Sequence, residues 1–336
     1  MGIGGKRLAD AFDVVAALPA LAEARRRALE ACAAESASIG EIAEIVESDT
    51  ALAIGIMRAA NNGGGPAGRT GGVTDAIEAL EPAGVGATVS TLSSYDLLDH
   101  PSTRSQRYER FRRHAVAVRH AADRVAELAR LPDRDEVAVA ALLHDVGRLV
   151  LAELYGEEHV GDSTDVPPDE RARRERRDLG IDHAIVGAVL VRRWGLPAAI
   201  AAAIERHHAA DADGAAAAVR LADLLVHHCE GEQVPADSLR STASRIGIDA
   251  AQLRTLVFEF PYFTHAPRRP SEPCPLSTRE VDALRGLAEG KVYKQIAHEL
   301  SLSVSTVRTH LHNVYRKIGA VDRAQAVLLA RDRGWI

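Results

Sequence analysis

Residues Ser303–Gly319 read SVSTVRTHLHNVYRKIG. Val304, Val307, Leu311, Val314 and Ile318 recur at intervals of three, four, three and four, the spacing of one buried stripe on an α-helix. Off that stripe, Ser305, Arg308, Thr309, His312 and Arg316 form a second strip of short polar and basic side chains. A helix anchored by one face and carrying such a strip on the other can enter a DNA major groove. Arg308 can give paired hydrogen bonds to guanine, and Thr309 can meet a thymine methyl. Lys294, Lys317 and Ser303 are placed for phosphates, Ser303 with help from the helix N-terminus. A helix over Val304–Ile318 is therefore predicted, and it decides the class of the tail.

Outward from that helix the tail stays helical. Ser301–Ser303 reads as a tight turn, with a short helix over Tyr293–Leu300 before it. Ser277 followed three residues later by Glu280 has the pattern of a capping box, so a first helix runs from there to about Glu289, with Gly290 as its stop. A last helix is expected over Asp322–Arg333. Residues 276–336 thus make one small four-helix domain.

Upstream the chain changes character. Five of its fourteen prolines fall in PYFTHAPRRPSEPCP (261–275), a stretch that can neither continue a helix nor pair in a sheet, and it reads as a linker. From Arg268 onward there are 12 Lys and Arg against 7 Asp and Glu, while the remainder holds 29 against 40. An acidic body joined to a small basic tail is the asymmetry of a nucleic-acid-binding appendage. Double-stranded DNA is the expected partner of the tail, although the whole chain carries a net charge of −6.

The body, residues 12–260, is expected to be all-α as well. Trp, Tyr and Phe number 13 in 336 residues, and Ala and Leu dominate the apolar set, which excludes a large β-sandwich or barrel. Cys32, Cys229 and Cys274 form no CxxC pair, which argues against a disulfide framework or a cysteine-bound zinc and for a reducing cytoplasm. Apolar runs such as Ala184–Val191 stop short of the roughly 20 residues of a membrane span, and MGIGGKRLADAF has no apolar signal core. A soluble, cytoplasmic protein with no membrane partner is expected. NNGGGPAGRTGG (Asn61–Gly72) lacks the Lys-Ser/Thr ending of a phosphate cradle and reads as a surface loop. Ser163–Pro168 is another loop, and WGLP (Trp194–Pro197) is a tight turn whose proline starts the next helix.

Histidines and aspartates stand on the apolar faces of this body. His114, with Phe111, Val118 and Ala121 at helical spacing around it, projects from a buried face. His144 and Asp145 end the apolar run VAVAALLHD. Asp223 sits on the stripe Val219, Ala222, Asp223, Val226, where a carboxylate is costly unless a cation or donors compensate it. His183 opens DHAIVGAVL, and His207 and His208 close AAIAAAIERHH. Each imidazole alone reads as a hydrogen-bonded core residue. Together these nitrogens and carboxylate oxygens suit a shared zinc, manganese or iron ion.

The order His114, His144-Asp145, Asp223 resembles the metal-binding signature of the HD superfamily of phosphohydrolases. ALLHDVGRLVLAELY, DHAIVGAVLVRRWGLPAAIAAAIERHH and RLADLL, with LPAL and IAEIVESDTALAIGIMRAANN earlier, resemble its HDOD subfamily over roughly residues 12–230. That resemblance implies an HD-like helical fold and a signalling domain that senses a nucleotide or other small-molecule signal, or mediates assembly. HDOD domains are commonly treated as non-enzymatic relatives of the HD-GYP phosphodiesterases. Here no Gly-Tyr-Pro follows His207-His208, and Arg148 stands where those enzymes show lysine. The alternative is a metal-dependent phosphohydrolase acting on a nucleotide, with Asp145 as the group that orients or deprotonates water. The tail is similar to a LuxR-type helix-turn-helix in LSTREVDAL and STVRTHLHNVYRKIG, with Tyr293 where asparagine is usual. By that resemblance Arg308, Thr309 and His312 face base edges, Lys294, Thr306 and Lys317 lie near phosphates, and the last helix joins a homodimer. A transcription regulator is the function expected.

Overall fold

The computed structural model describes residues 3–34, 37–62, 70–98, 102–156, 166–260, 274–288, 291–300, 302–320, 323–332 and 335. The proline-rich stretch up to residue 273, residues 63–69 of the glycine-rich loop, residues 163–165, Gly290 and Ser301 lie outside them. The chain divides into two compact units, Met1–Thr264 and His265–Ile336, each with its own apolar core.

The first unit begins with α1 (Ile3–Ala16), β1 (Ala20–Leu21), α2 (Ala22–Ala33), α3 (Ile39–Glu47), α4 (Thr50–Asn62), α5 (Val73–Thr91) and β2 (Ser94–Tyr95). It continues through α6 (Thr103–Leu128), α7 (Arg134–Leu143), α8 (Val146–Tyr155), α9 (Pro168–Leu179), α10 (His183–Arg193), α11 (Ala198–Arg206), α12 (Gly214–Cys229), α13 (Ala236–Arg245) and α14 (Ala250–Glu259). Capping boxes start α3, α6 and α14: Ser38 with Glu41, Ser102 with Ser105, and Asp249 with Gln252 exchange side-chain and backbone bonds. α5 breaks at Glu81 (φ 56°), where Pro82 bars its neighbour from continuing the helix.

The all-α class holds, with one small addition. β1 and β2 form a two-residue parallel bridge, Ala20 against Ser94 and Leu21 against Tyr95. Buried Asp49 organises it, accepting from Leu21 N at 2.9 Å while capping α4 through Ala51 N and Leu52 N.

α6 packs along α7 and α12, while α8 and α11 flank α10. The approach of α8 to α10 is as close as backbones allow. A Cβ placed on Gly147 would lie 2.0 Å from the carbonyl oxygen of His183. Only glycine permits that contact, and it brings Asp145, which precedes α8, beside His183, which opens α10.

The second unit holds α15 (Thr278–Ala288), α16 (Tyr293–Glu299), α17 (Val304–Ile318) and α18 (Arg323–Asp332). Val307, Leu311, Val314 and Ile318 are buried against Ala283, Leu284, Leu287 and Ile296. Val304 departs from the expected stripe: it is 38% exposed, because the first turn of α17 overhangs the edge of this small core. No described helix is long and apolar enough to cross a membrane.

Candidate functional site

The histidines and aspartates of the body sit largely at helix ends. His144 ends α7, Asp145 begins α8, His183 begins α10, and His207 ends α11 with His208 after it. His114 and Asp223 project from the middles of α6 and α12. All seven converge in two adjoining clusters, Asp145 with His183, His207 and His208, and Asp223 with His114 and His144.

Around Asp145 Oδ1, His183 Nε2 lies at 3.2 Å and His207 Nε2 at 4.0 Å, and the Nε2 atoms of His183 and His208 are 2.9 Å apart. Around Asp223 Oδ1, His114 Nε2 lies at 3.2 Å and His144 Nε2 at 3.5 Å. His144 Nε2 is also 3.7 Å from Asp145 Oδ1, so the clusters share a wall.

Four of the rings are held from behind. His144 Nδ1 bonds the Ala141 carbonyl at 2.8 Å and His207 Nδ1 the Ile204 carbonyl at 2.6 Å. His183 Nδ1 meets Glu175 at 2.6 Å, and His208 Nδ1 meets Asp169 at 3.2 Å. Asp169 is fixed in turn by both Arg220 terminal nitrogens at 2.6 Å. Carbonyl and carboxylate partners on the far nitrogen are the supports that metal-bound histidines use.

A cation fits this donor set. When Nδ1–H donates to a carbonyl, a neutral ring presents a bare lone pair at Nε2. Among the described residues, His144 Nε2 and His207 Nε2 are buried and have no hydrogen-bond partner. Buried acceptors aimed toward carboxylates lack a reason to be there unless a positive ion sits between them.

Charge balance points the same way. Burial opposes ionisation of Asp145, but His144, Arg148 and His183 hold it well below the carboxylate range. Burial likewise opposes ionisation of Asp223, and His227, His114 and His144 outweigh it. Burial disfavours charge on His114 and His183, yet Asp223 and Glu230 raise the first to about 10, and Glu175 and Asp145 raise the second to about 10. His207 is held neutral, by burial first and by the neighbouring imidazoles second. Burial disfavours charge on His227 too, and Asp223 with Glu232 outweighs it, so without an ion the rings of His114, His183 and His227 offset the surrounding carboxylates.

Several members of the site are not apparent from the sequence. His227 stands one turn after Asp223 on α12, with Nε2 3.0 Å from Asp223 Oδ1 and Nδ1 3.0 Å from Glu232. Its spacing from Asp223 is the signal that could have found it. Glu175 and Asp169 carry no such mark, because they lie in PDERARRERRDL, which reads as a solvated face.

In the tail, Ser305, Arg308, Thr309, His312 and Arg316 are exposed along α17, as is Lys294 on α16. Ser303 caps α17 by accepting from Thr306 N at 3.1 Å, and Thr306 is half-buried. Lys317 has an internal role beyond the one expected of it: Nζ lies 2.7 Å from buried Glu280 Oε2.

Residues 18–210 match the family model of the HDOD domain, and residues 274–330 that of the bacterial regulatory proteins of the luxR family. Over 62 residues the chain is 42% identical to the uncharacterized transcriptional regulatory protein YvfU of Bacillus subtilis, covering 18% of this chain and 31% of that protein. It is 37% identical over 65 residues to the transcriptional regulatory protein DesR of the same organism, covering 19% and 33%. The chain thus spans about a third of the length of these curated relatives. The MmoQ response regulator of Methylococcus capsulatus is similar in fold, with a TM-score of 0.54 at 22% identity over 71% of this chain and 97% of that one. A virulence factor of Campylobacter jejuni gives 0.56 at 16% identity over 78% and 97%.

Proposed function

The chain belongs to the HDOD domain family, and from that premise we propose that it is a cytoplasmic transcription regulator. Its tail binds double-stranded DNA as a homodimer joined through α18, and its body senses a nucleotide or other small-molecule signal or mediates assembly. The observation that carries this reading is α17, which buries Val307, Leu311, Val314 and Ile318 and leaves Ser305, Arg308, Thr309, His312 and Arg316 exposed on the opposite strip. Arg308, Thr309 and His312 read bases; Lys294, Ser303, Thr306 and Lys317 contact phosphates, with Ser305 and Arg316 at the ends of the strip.

In the body, His114, His144 and Asp223 on one side, and Asp145, His183, His207 and His208 on the other, would hold zinc, manganese or iron. Bound there, an ion supplies the positive charge that buried carboxylates and bare imidazole nitrogens share. The same cage is what a phosphohydrolase would need, with Asp145 as its base. Yet Asp145 is engaged on both oxygens, by Arg148 at 3.1 Å and His183 at 3.2 Å, and is held ionised by its neighbours. A carboxylate held that far below its ordinary range is a weak base, which favours the regulator.

Mapping of bound DNA across the genome, with the full chain and with a chain lacking 276–336, tests the proposal. Discrete sites lost on deletion support it; unchanged binding without the tail refutes it.

A further inference from the structure

Several basic side chains described in the tail have polar partners within it. Lys317 is paired with Glu280, Lys291 with Glu299 at 2.6 Å, Arg316 with Asn313 at 3.3 Å, and Arg323 with the carbonyls of Leu287 and Lys291. Arg308 differs. Among the described residues its guanidinium makes no hydrogen bond or ion pair, and it lies 5.9 Å from the centre of the Tyr293 ring. Tyr293 opens α16 and is half-buried against the tail core, so its ring is held from behind while its face meets Arg308. A cation within about 6 Å of an aromatic face is attracted by the ring quadrupole.

We propose that Tyr293 is a positioning residue that sets base specificity at the place Arg308 reads, rather than a contact to DNA in its own right. This rests on the reading of α17 as the base-reading helix. An unrestrained arginine gives up rotamer freedom when it docks on a guanine edge. One already resting on a ring has surrendered part of that freedom and approaches with its fork oriented. The aromatic face contributes to discrimination at one base pair and leaves the phosphate contacts alone. Asparagine, the residue the tail's resemblance makes usual at this position, has no such face.

The test uses the full chain and the tightest-binding duplex it selects from a random oligonucleotide pool. Arg308→Ala first locates the base pair at which preference relaxes. Tyr293→Leu, which keeps an apolar side chain for the core but removes the ring, should lower discrimination at that same base pair about two- to fivefold, and Tyr293→Phe should keep it. In Arg308→Ala protein, adding Tyr293→Leu should change discrimination no further. Should Tyr293→Leu fail to fold, Tyr293→Asn is measured against Tyr293→Phe with the same expectation. Equal weakening on all sequences, or loss of discrimination in Tyr293→Phe, overturns the proposal. If Arg308→Ala relaxes nothing, the base-reading assignment of α17 is what fails.

Discussion

His183 and His208 turn their Nε2 atoms to within 2.9 Å of each other, across the carboxylate of Asp145. Two such nitrogens must share a proton or share a cation. Adjacent donors about 2.1 Å from one ion lie roughly 3 Å apart, so the spacing already suits the second case.

Purified full-length protein should therefore carry roughly one or two transition-metal ions per chain, read by elemental analysis. A chelator should lower the melting temperature; an ion at a hundredfold excess over its dissociation constant contributes ~2.7 kcal/mol. Replacing both His144 and Asp145 by Ala should abolish uptake while the tail stays folded. A metal-free wild type whose melting ignores chelator would reject the cage.

Ion uptake should strengthen as pH rises. His114 and His183 keep their protons up to about pH 10 in the ion-free protein, and a metal must displace them. Titration calorimetry in buffers of different protonation enthalpy should register proton release at pH 7. The apparent affinity should fall as the pH is lowered from there.

Gly147→Ala should damage the body more than its size suggests. The new methyl meets the His183 carbonyl oxygen at 2.0 Å, and relief requires α8 and α10 to separate. A loss of about 3 kcal/mol in denaturant unfolding is expected, together with weaker ion binding, because Asp145 and His183 move apart with their helices. A stable, ion-competent variant would show that the helices part without cost.

On DNA, Arg308→Ala should cost ~1–3 kcal/mol and relax preference at one operator position. Lys294→Ala should weaken all sequences alike and flatten the salt slope by about one. Equal losses on every sequence for both would place the wrong face of α17 against the bases.

Lys317→Ala should show a stability defect alongside any loss of binding, since it leaves the buried Glu280 carboxylate with only Ser277 among the described partners; about 1 kcal/mol is expected. Burial raises the pKa of Glu280, and Lys317 with Ser277 more than reverses that, leaving it below the usual 4.5. The stabilisation is present above the ordinary carboxylate range and disappears as pH falls through the depressed value. Acid unfolding of the tail should lose that component in the variant.

Much of the site is legible in sequence because its residues break a pattern. A carboxylate at Asp223 among alanines and leucines, or an imidazole at His114 on the face of Phe111, Val118 and Ala121, is conspicuous. His227 shares that helix yet falls among residues that look like a frayed polar end. Glu175 is hidden more completely, since nothing local says that one glutamate in a run of arginines turns inward to hold His183. The overhang of Val304 is opaque for the opposite reason: periodicity locates a face, while the extent of the core beneath it depends on helices far away in sequence. The β1–β2 bridge depends likewise on Asp49, which reaches back to Leu21 across 28 residues.

Glu280 receives the amide and hydroxyl of Ser277 at 2.7 and 2.9 Å and the ammonium of Lys317 at 2.7 Å, all on one oxygen. Ser277 lies at the threshold where the chain enters the tail, and Lys317 at the far end of the helix proposed to read bases. One carboxylate oxygen thereby ties the first turn of α15 to the last turn of α17, 37 residues further along the chain, so the start of the tail domain and the end of the strip-bearing helix are set by the same charge.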